Sequence, residues 1–212
     1  IGQGWYSKGL PGVVNSGPLV MAQVEKISGT VREVVLCTDS SWVGRSSGYS
    51  TTGTWRPHQF GGELVDGSVL LPDLSSESLD NAQWTPVKIV EIPDYDVTPQ
   101  MTESNRIMDT IIPVEITSPQ DSTWLVDMGK TLTGWFEIHF PQLKHGQEVT
   151  MEFCDHLDKD GKTVNQGQVD RYIATGKKGE FFINKFNYHG FRYVKISNLA
   201  DEPGKEEITA SL

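Results

Sequence analysis

The chain has 212 residues, enough for one large or two modest domains, with 37% hydrophobic and 22% charged residues, as in soluble globular proteins. Its net charge of −10 argues against a nucleic-acid partner, because phosphate binding needs clustered Lys and Arg. No run of eighteen apolar residues exists, so no helix is predicted to span a membrane.

In chain order, the first residues already look like a strand. The sequence starts at Ile1 without an initiator Met or a signal peptide, and reads as a piece of something longer. Turn signals follow at Ser28-Gly29 and Asp66-Gly67, and between them lies the polar loop "YSTTGTWRPHQFGG". Asp73 to Trp84 holds at most one short turn of helix. The polar, Pro-containing stretch "PDYDVTPQMTESNR", Pro93 to Arg106, marks a boundary. It divides the chain into an incomplete β domain, residues 1–100, and a second β domain, residues 101–212.

Beyond that boundary the period is two. Phe136, Ile138 and Phe140 alternate with polar neighbours, as do Val149, Met151 and Phe153, and Trp124, Val126 and Met128 keep the same spacing. Such alternation marks half-buried antiparallel strands. His145-Gly146, Asp160-Gly161 and Lys178-Gly179 supply the turns. The prediction is an all-β fold of two antiparallel, jelly-roll-like sandwich units, with the hinge within residues 93–110. Cys37 and Cys154 each sit in an apolar alternating run, and both are expected to be buried, reduced thiols.

Few constellations invite chemistry. Asp155, Asp158 and Asp160 are hard oxygen donors, but the spacing does not fit an EF-hand loop and Asp160-Gly161 is a common hairpin turn. No Gly-x-Ser-x-Gly elbow is present, and no acidic residue has the apolar context that tunes a glycosidase acid. No catalytic residue, metal site or cofactor is predicted. The six Trp read mostly as core; Trp55, in the polar loop, is the one placed best to face outward.

The ordered motifs resemble the bacterial α-L-rhamnosidases of glycoside hydrolase family 78. "GQGWY" (Gly2 to Tyr6), "LVMAQVEKISGT", "TDSSW", "GGELVD" (Gly61 to Asp66) and "LDNAQWTPVKIV" are similar to segments of that family's N-terminal β domain. "DMGKTLTGW" (Asp127 to Trp135), "HLDKDG", "DRYIATGKKGE" and "FNYHGFRYVKI" follow in the family's order. The resemblance implies a non-catalytic β region that supports a C-terminal (α/α)6 catalytic barrel in the same polypeptide, in a glycosidase acting on rhamnose-containing glycans in the periplasm or at the cell surface. Some relatives bind L-rhamnose through calcium near the G-E-x-x-D segment. Here His58, Gln59, Phe60 and Gly61 precede Glu63 and offer no carboxylate. Trp55, Glu63 and Asp66 are then the residues left to contact a sugar, weakly and without calcium. In "NYHGFRYVKI", His189 and Arg192 are expected to brace the sandwich by hydrogen bonds, and Gly190 to sit at a bulge or a close backbone approach. Two other readings stand beside this one: a stand-alone galactose-binding-like carbohydrate-binding module, and a ligand-free scaffold.

Overall fold

A computed structural model describes residues 20–53, 58–70, 84–90, 103–104 and 106–212. The chain forms two compact units. The first comprises Ile1–Ser46 and Pro72–Asn105, the second Ser47–Leu71 and Arg106–Leu212. The polypeptide therefore passes between them three times. Most of the predicted 93–110 hinge, and all of the Asp73–Trp84 segment except Trp84, lie outside the described residues.

In the first unit β1 (Gln23–Ser28) and β2 (Val31–Cys37) form an antiparallel hairpin with an irregularity between Val24 and Glu25. Arg32 pairs with Glu25 across it at 3.2 Å. A second, two-residue pairing joins β3 (Val43–Gly44) to β6 (Thr85–Pro86). Cys37, expected to be buried, is exposed at the end of β2, on a hairpin whose residues are exposed on both faces. Cys154 is buried as a free thiol.

The second unit is a sandwich organised by one long strand. Its elements are β4 (Tyr49–Thr52), β5 (Gly62–Asp66), β7 (Thr110–Ile111), β8 (Glu115–Gln120), β9 (Thr123–His139), β10 (Glu148–Cys154), β11 (Val169–Ile173), β12 (Phe181–Ile183), β13 (His189–Ser197) and β14 (Ile208–Ser211). The first part of β9 lies between β8 and β13, and the sheet continues through β10, β11 and β5 to β4. The last part of β9 lies between β14 and β12, with β7 beyond β14. The hand-over falls at Gly134, which pairs with His189 on one side while Trp135 pairs with Ser211 on the other. A Cβ at Gly134 would lie 2.1 Å from the carbonyl oxygen of Ser211, so only glycine lets the two backbones approach there.

The alternating residues of the long strands fill the interior. Val126, Met128, Phe136 and Ile138 of β9, Val149, Met151 and Phe153 of β10, and Phe191, Val194 and Ile196 of β13 are all buried. Phe136, Phe153 and Phe191 meet edge to face at centroid distances of 5.2–6.2 Å. Burying each such side chain stabilises the fold by about 1.5–3 kcal/mol relative to exposure. Among the described residues the helical content is one 3-10 turn, Lys205–Glu207, in line with an all-β fold.

Three features differ from the sequence reading. The sandwich is not purely antiparallel, because β5 pairs in parallel with β11, Leu64 opposite Arg171 and Val65 opposite Tyr172. The segment carrying β4 and β5, which the reading groups with residues 1–100, packs with residues 106–212. The bulge in β13 also lies elsewhere. Gly190 keeps register with Thr133, and the irregularity falls between Phe191 and Tyr193, at Arg192. A Cβ at Gly190 would meet nothing closer than 3.9 Å, so no close approach requires glycine there.

Candidate functional site

The polar residues with the most chemical potential converge where β5, β11 and β13 meet. Asp170 is on β11, at the same inward parity as Tyr172, and is completely buried. Its Oδ1 accepts the backbone N–H of Glu63 at 2.7 Å. Its Oδ2 accepts from Nδ2 of Asn184 at 2.7 Å and from Nε2 of His189 at 2.9 Å. A carboxylate carries only acceptors, which assigns the proton of each bond to its partner. Asn184 completes its own pairing by accepting the Phe136 N–H at 3.0 Å. The buried His189 ring stacks on Phe153 with centroids 4.2 Å apart.

Glu63 faces the same interior. Its carboxylate receives the backbone N–H groups of Lys185 and Phe186, with Lys185 N 3.1 Å from Oε2. Burial pushes its carboxyl above the usual range; the N–H groups of Phe186, Lys185 and Asn187 act in the opposite direction, and nearby Asp170 adds to the rise. Burial, and secondarily the charge of Glu63, raise the Tyr49 hydroxyl to about 12. Glu63 was expected at a sugar-contacting surface and lies instead in the core, because inward parity on β5 aims its side chain at the turn after β12. Asp66 accepts from the N–H and hydroxyl of Ser68, at 2.9 and 2.6 Å, and so fastens its own turn. Trp55 lies outside the described residues.

Arg192 projects from the β13 irregularity and makes two parallel bonds to Asp127 on β9, both 2.9 Å. The guanidinium holds the Asp127 carboxyl below the ordinary range, and the Gly129 N–H contributes. The Arg192 guanidinium also lies 4.9 Å from the Tyr193 ring centroid. Gly190 is held by both ends of the Gln168 amide: its N–H donates to Oε1 at 3.0 Å, and its carbonyl accepts from Nε2 at 3.2 Å.

Two other places invited a ligand. In the acidic loop, Asp158 Oδ1 accepts the N–H groups of Asp160 and Lys162 at 2.9 and 2.8 Å, which lowers its pKa and closes a turn. Among the described residues no group of three or more His, Cys, Asp or Glu has the arrangement of a metal site. A shallow depression of about 270 Å³ lies by Ile107, Trp135, Glu137, Ile183 and Ser211. Trp135, read as structural, is 37% exposed there, whereas Trp124 donates its indole N–H to the Leu199 carbonyl at 2.9 Å.

His189 and Glu63 are thus brought together through Asp170; Arg192 belongs to a separate pair. Asp170, Asn184 and Asn187 escaped the sequence reading. One signal was present, since an Asp at the inward parity of a strand containing Tyr172 needs a buried partner.

Comparison with known proteins follows the same lines. The family model described as the α-L-rhamnosidase N-terminal domain matches residues 1–109, and that described as the bacterial α-L-rhamnosidase concanavalin-like domain matches residues 117–212. An α-L-rhamnosidase of Formosa agariphila is 26% identical over 163 residues, covering 72% of this chain and 17% of its own length. One from Alteromonas sp. is 26% identical over 223 residues, covering all of this chain and 24% of its own. The solved α-L-rhamnosidase of Dictyoglumus thermophilum superposes with a TM-score of 0.75 at 25% identity, over 91% of this chain and 22% of that one. The Streptomyces avermitilis enzyme, solved with L-rhamnose, gives 0.72 at 21% identity over 91% of this chain and 19% of that one, a likeness of fold. The chain spans less than a quarter of the length of these relatives.

Proposed function

We propose that this chain, which belongs to the bacterial α-L-rhamnosidase family, is the non-catalytic β region of a larger glycosidase that removes terminal α-L-rhamnose from glycans. Its task is to support the catalytic (α/α)6 domain of the same polypeptide, at the periplasmic or cell-surface location where such glycans are met. The observation that carries this reading is the use of the buried ionisable side chains. Glu63, Asp170 and His189 are each tied to backbone or to one another inside the sandwich, where they fix strand positions. Glycoside hydrolysis instead needs two carboxyls flanking a cleft that admits a sugar.

The test is hydrolysis of an aryl α-L-rhamnoside by the purified chain. The expected rate equals that of buffer. A rate above it, abolished by one Asp or Glu substitution within residues 1–212, overturns the proposal. Any direct contact of Trp55 and Asp66 with L-rhamnose is expected at about millimolar Kd and unaffected by EDTA, since one ring and a few hydrogen bonds supply only about 4 kcal/mol. Calorimetric titration with and without chelator measures it.

A further inference from the structure

We infer that the second unit carries a strand-acceptor site, an open edge of β11 beside an anion-binding turn, that takes an extended acidic peptide of the form Gly-Gly-Glu-x-x-Asp and is filled here by the chain's own residues 61–66. The acceptor is built wholly from residues 166–189. The edge of β11 not used by β10 offers its backbone to β5 in parallel register, with Ile173 opposite Asp66. The ladder is extended at both ends, by the Phe60 N–H to the Gln166 carbonyl at 2.8 Å and the Gly67 N–H to the Ile173 carbonyl at 2.9 Å.

Specificity comes from two features beyond the ladder, one of backbone and one of side chain. The consecutive N–H groups of Lys185 and Phe186 converge on one carboxylate, a geometry suited to an anion. The Asp170 carboxylate accepts the N–H of that same Glu63, so the site reads both the backbone and the acidic side chain of one residue. The Asn187 amide adds a bond to the Gly61 carbonyl at 3.3 Å. Glycine is required before the acid, because a Cβ at Gly62 would lie 1.9 Å from the Val169 carbonyl oxygen. Tyr49 of β4 closes the groove, its ring edge-on to Phe186 at 5.5 Å and 5.2 Å from the Lys185 ammonium.

This is recognition rather than mere continuity of chain. Residues 47–71 are flanked on both sides by polypeptide of the other unit, and everything that holds them in the second unit is non-covalent. They also fall within the matched N-terminal domain, 1–109, although the sheet they complete belongs to the matched 117–212 domain. The two matched domains are therefore joined by a donated strand pair as well as by their linker.

The experiment cuts the whole chain in place, with protease sites introduced at residues 45–46 and within 72–83, and follows the released peptide 47–71 by size exclusion under native conditions. The peptide should co-elute with the 106–212 piece. A labelled synthetic 47–71 peptide should exchange into the site, and its Glu63→Ala form should bind about 100-fold more weakly, the expected effect of leaving buried charge-seeking groups unpaired. In the uncut chain the Leu64 and Val65 amides should resist hydrogen exchange as long as those of β10, which decides the matter if the cut protein aggregates. Separation of the wild-type peptide on the first passage, equal binding by the Glu63→Ala peptide, or fast exchange at Leu64 and Val65 in the uncut chain would each overturn the inference.

Discussion

His189 and Arg192 stand three residues apart on β13, and each meets an aspartate, yet the two contacts do different work. His189 and Asp170 are shut inside the sandwich, and Asp170 spends three hydrogen bonds on three separate elements. Arg192 and Asp127 form a geometrically better pair, with two parallel bonds, at a partly exposed place where β9 runs between β8 and β13. In water the loss of either partner is largely compensated, whereas in the interior a donor without its acceptor keeps its full desolvation cost. Geometry alone misjudges which pair matters more; burial and the number of elements joined decide.

Substitutions can break that ranking. The largest effect is expected for Asp170→Ala, which strands the Glu63 N–H, the Asn184 amide and the His189 ring together and should cost about 3–5 kcal/mol in urea unfolding. A loss below about 1 kcal/mol would mean that water enters the cluster and the interior is not dry. His189→Ala removes one of the three bonds and the ring stacked on Phe153, for about 1–3 kcal/mol, with no change in sugar affinity. Arg192→Ala should cost less than either, and its effect should shrink further as salt is added, since the pair is reached by solvent. An Arg192 loss exceeding that of His189 would reverse the comparison.

The smallest expected effects are slopes with pH, and they have opposite signs. Asp127 is held below its ordinary 3.8, so it contributes stability above that value and the contribution is lost as pH falls through its folded pKa; Arg192→Ala should remove this slope. Glu63 is raised above its ordinary 4.5, so the folded chain holds its proton longer, and stability declines as pH rises from 4.5 through the folded pKa. Glu63→Gln should flatten that decline. Urea midpoints taken across the acid range in the three proteins separate the two.

The strands were readable because a two-residue period leaves Val149, Met151 and Phe153 no other way to share one face. What joins distant strands was harder to see. Nothing local marks Leu64 as the parallel neighbour of Arg171, since parallel pairing is set by edges that meet only after folding. The sequence shows Glu63 as an acid directly after a polar, glycine-ended stretch, a pattern that suggests a surface position. Gly62 permits close packing against β11 and marks no solvent-facing turn. The Arg192 bulge was displaced onto Gly190 for a similar reason: glycine is the usual sign of irregular backbone, yet here the irregularity serves a guanidinium reaching Asp127.

The separation of 107 residues between Glu63 and Asp170 also has a meaning in time. On a ribosome adding about 5–20 residues per second, residue 63 is made roughly 5–20 s before residue 170 exists. Through that interval the β4–β5 hairpin is a strand pair with no sheet to join, at the stage when unpaired edges most readily find wrong neighbours. Glu63 then sits hydrated and charged near the start of β5, between Gly62 and Leu64, where a charge discourages such pairing. The same carboxylate that later locks the strand into the sandwich thus guards it during synthesis.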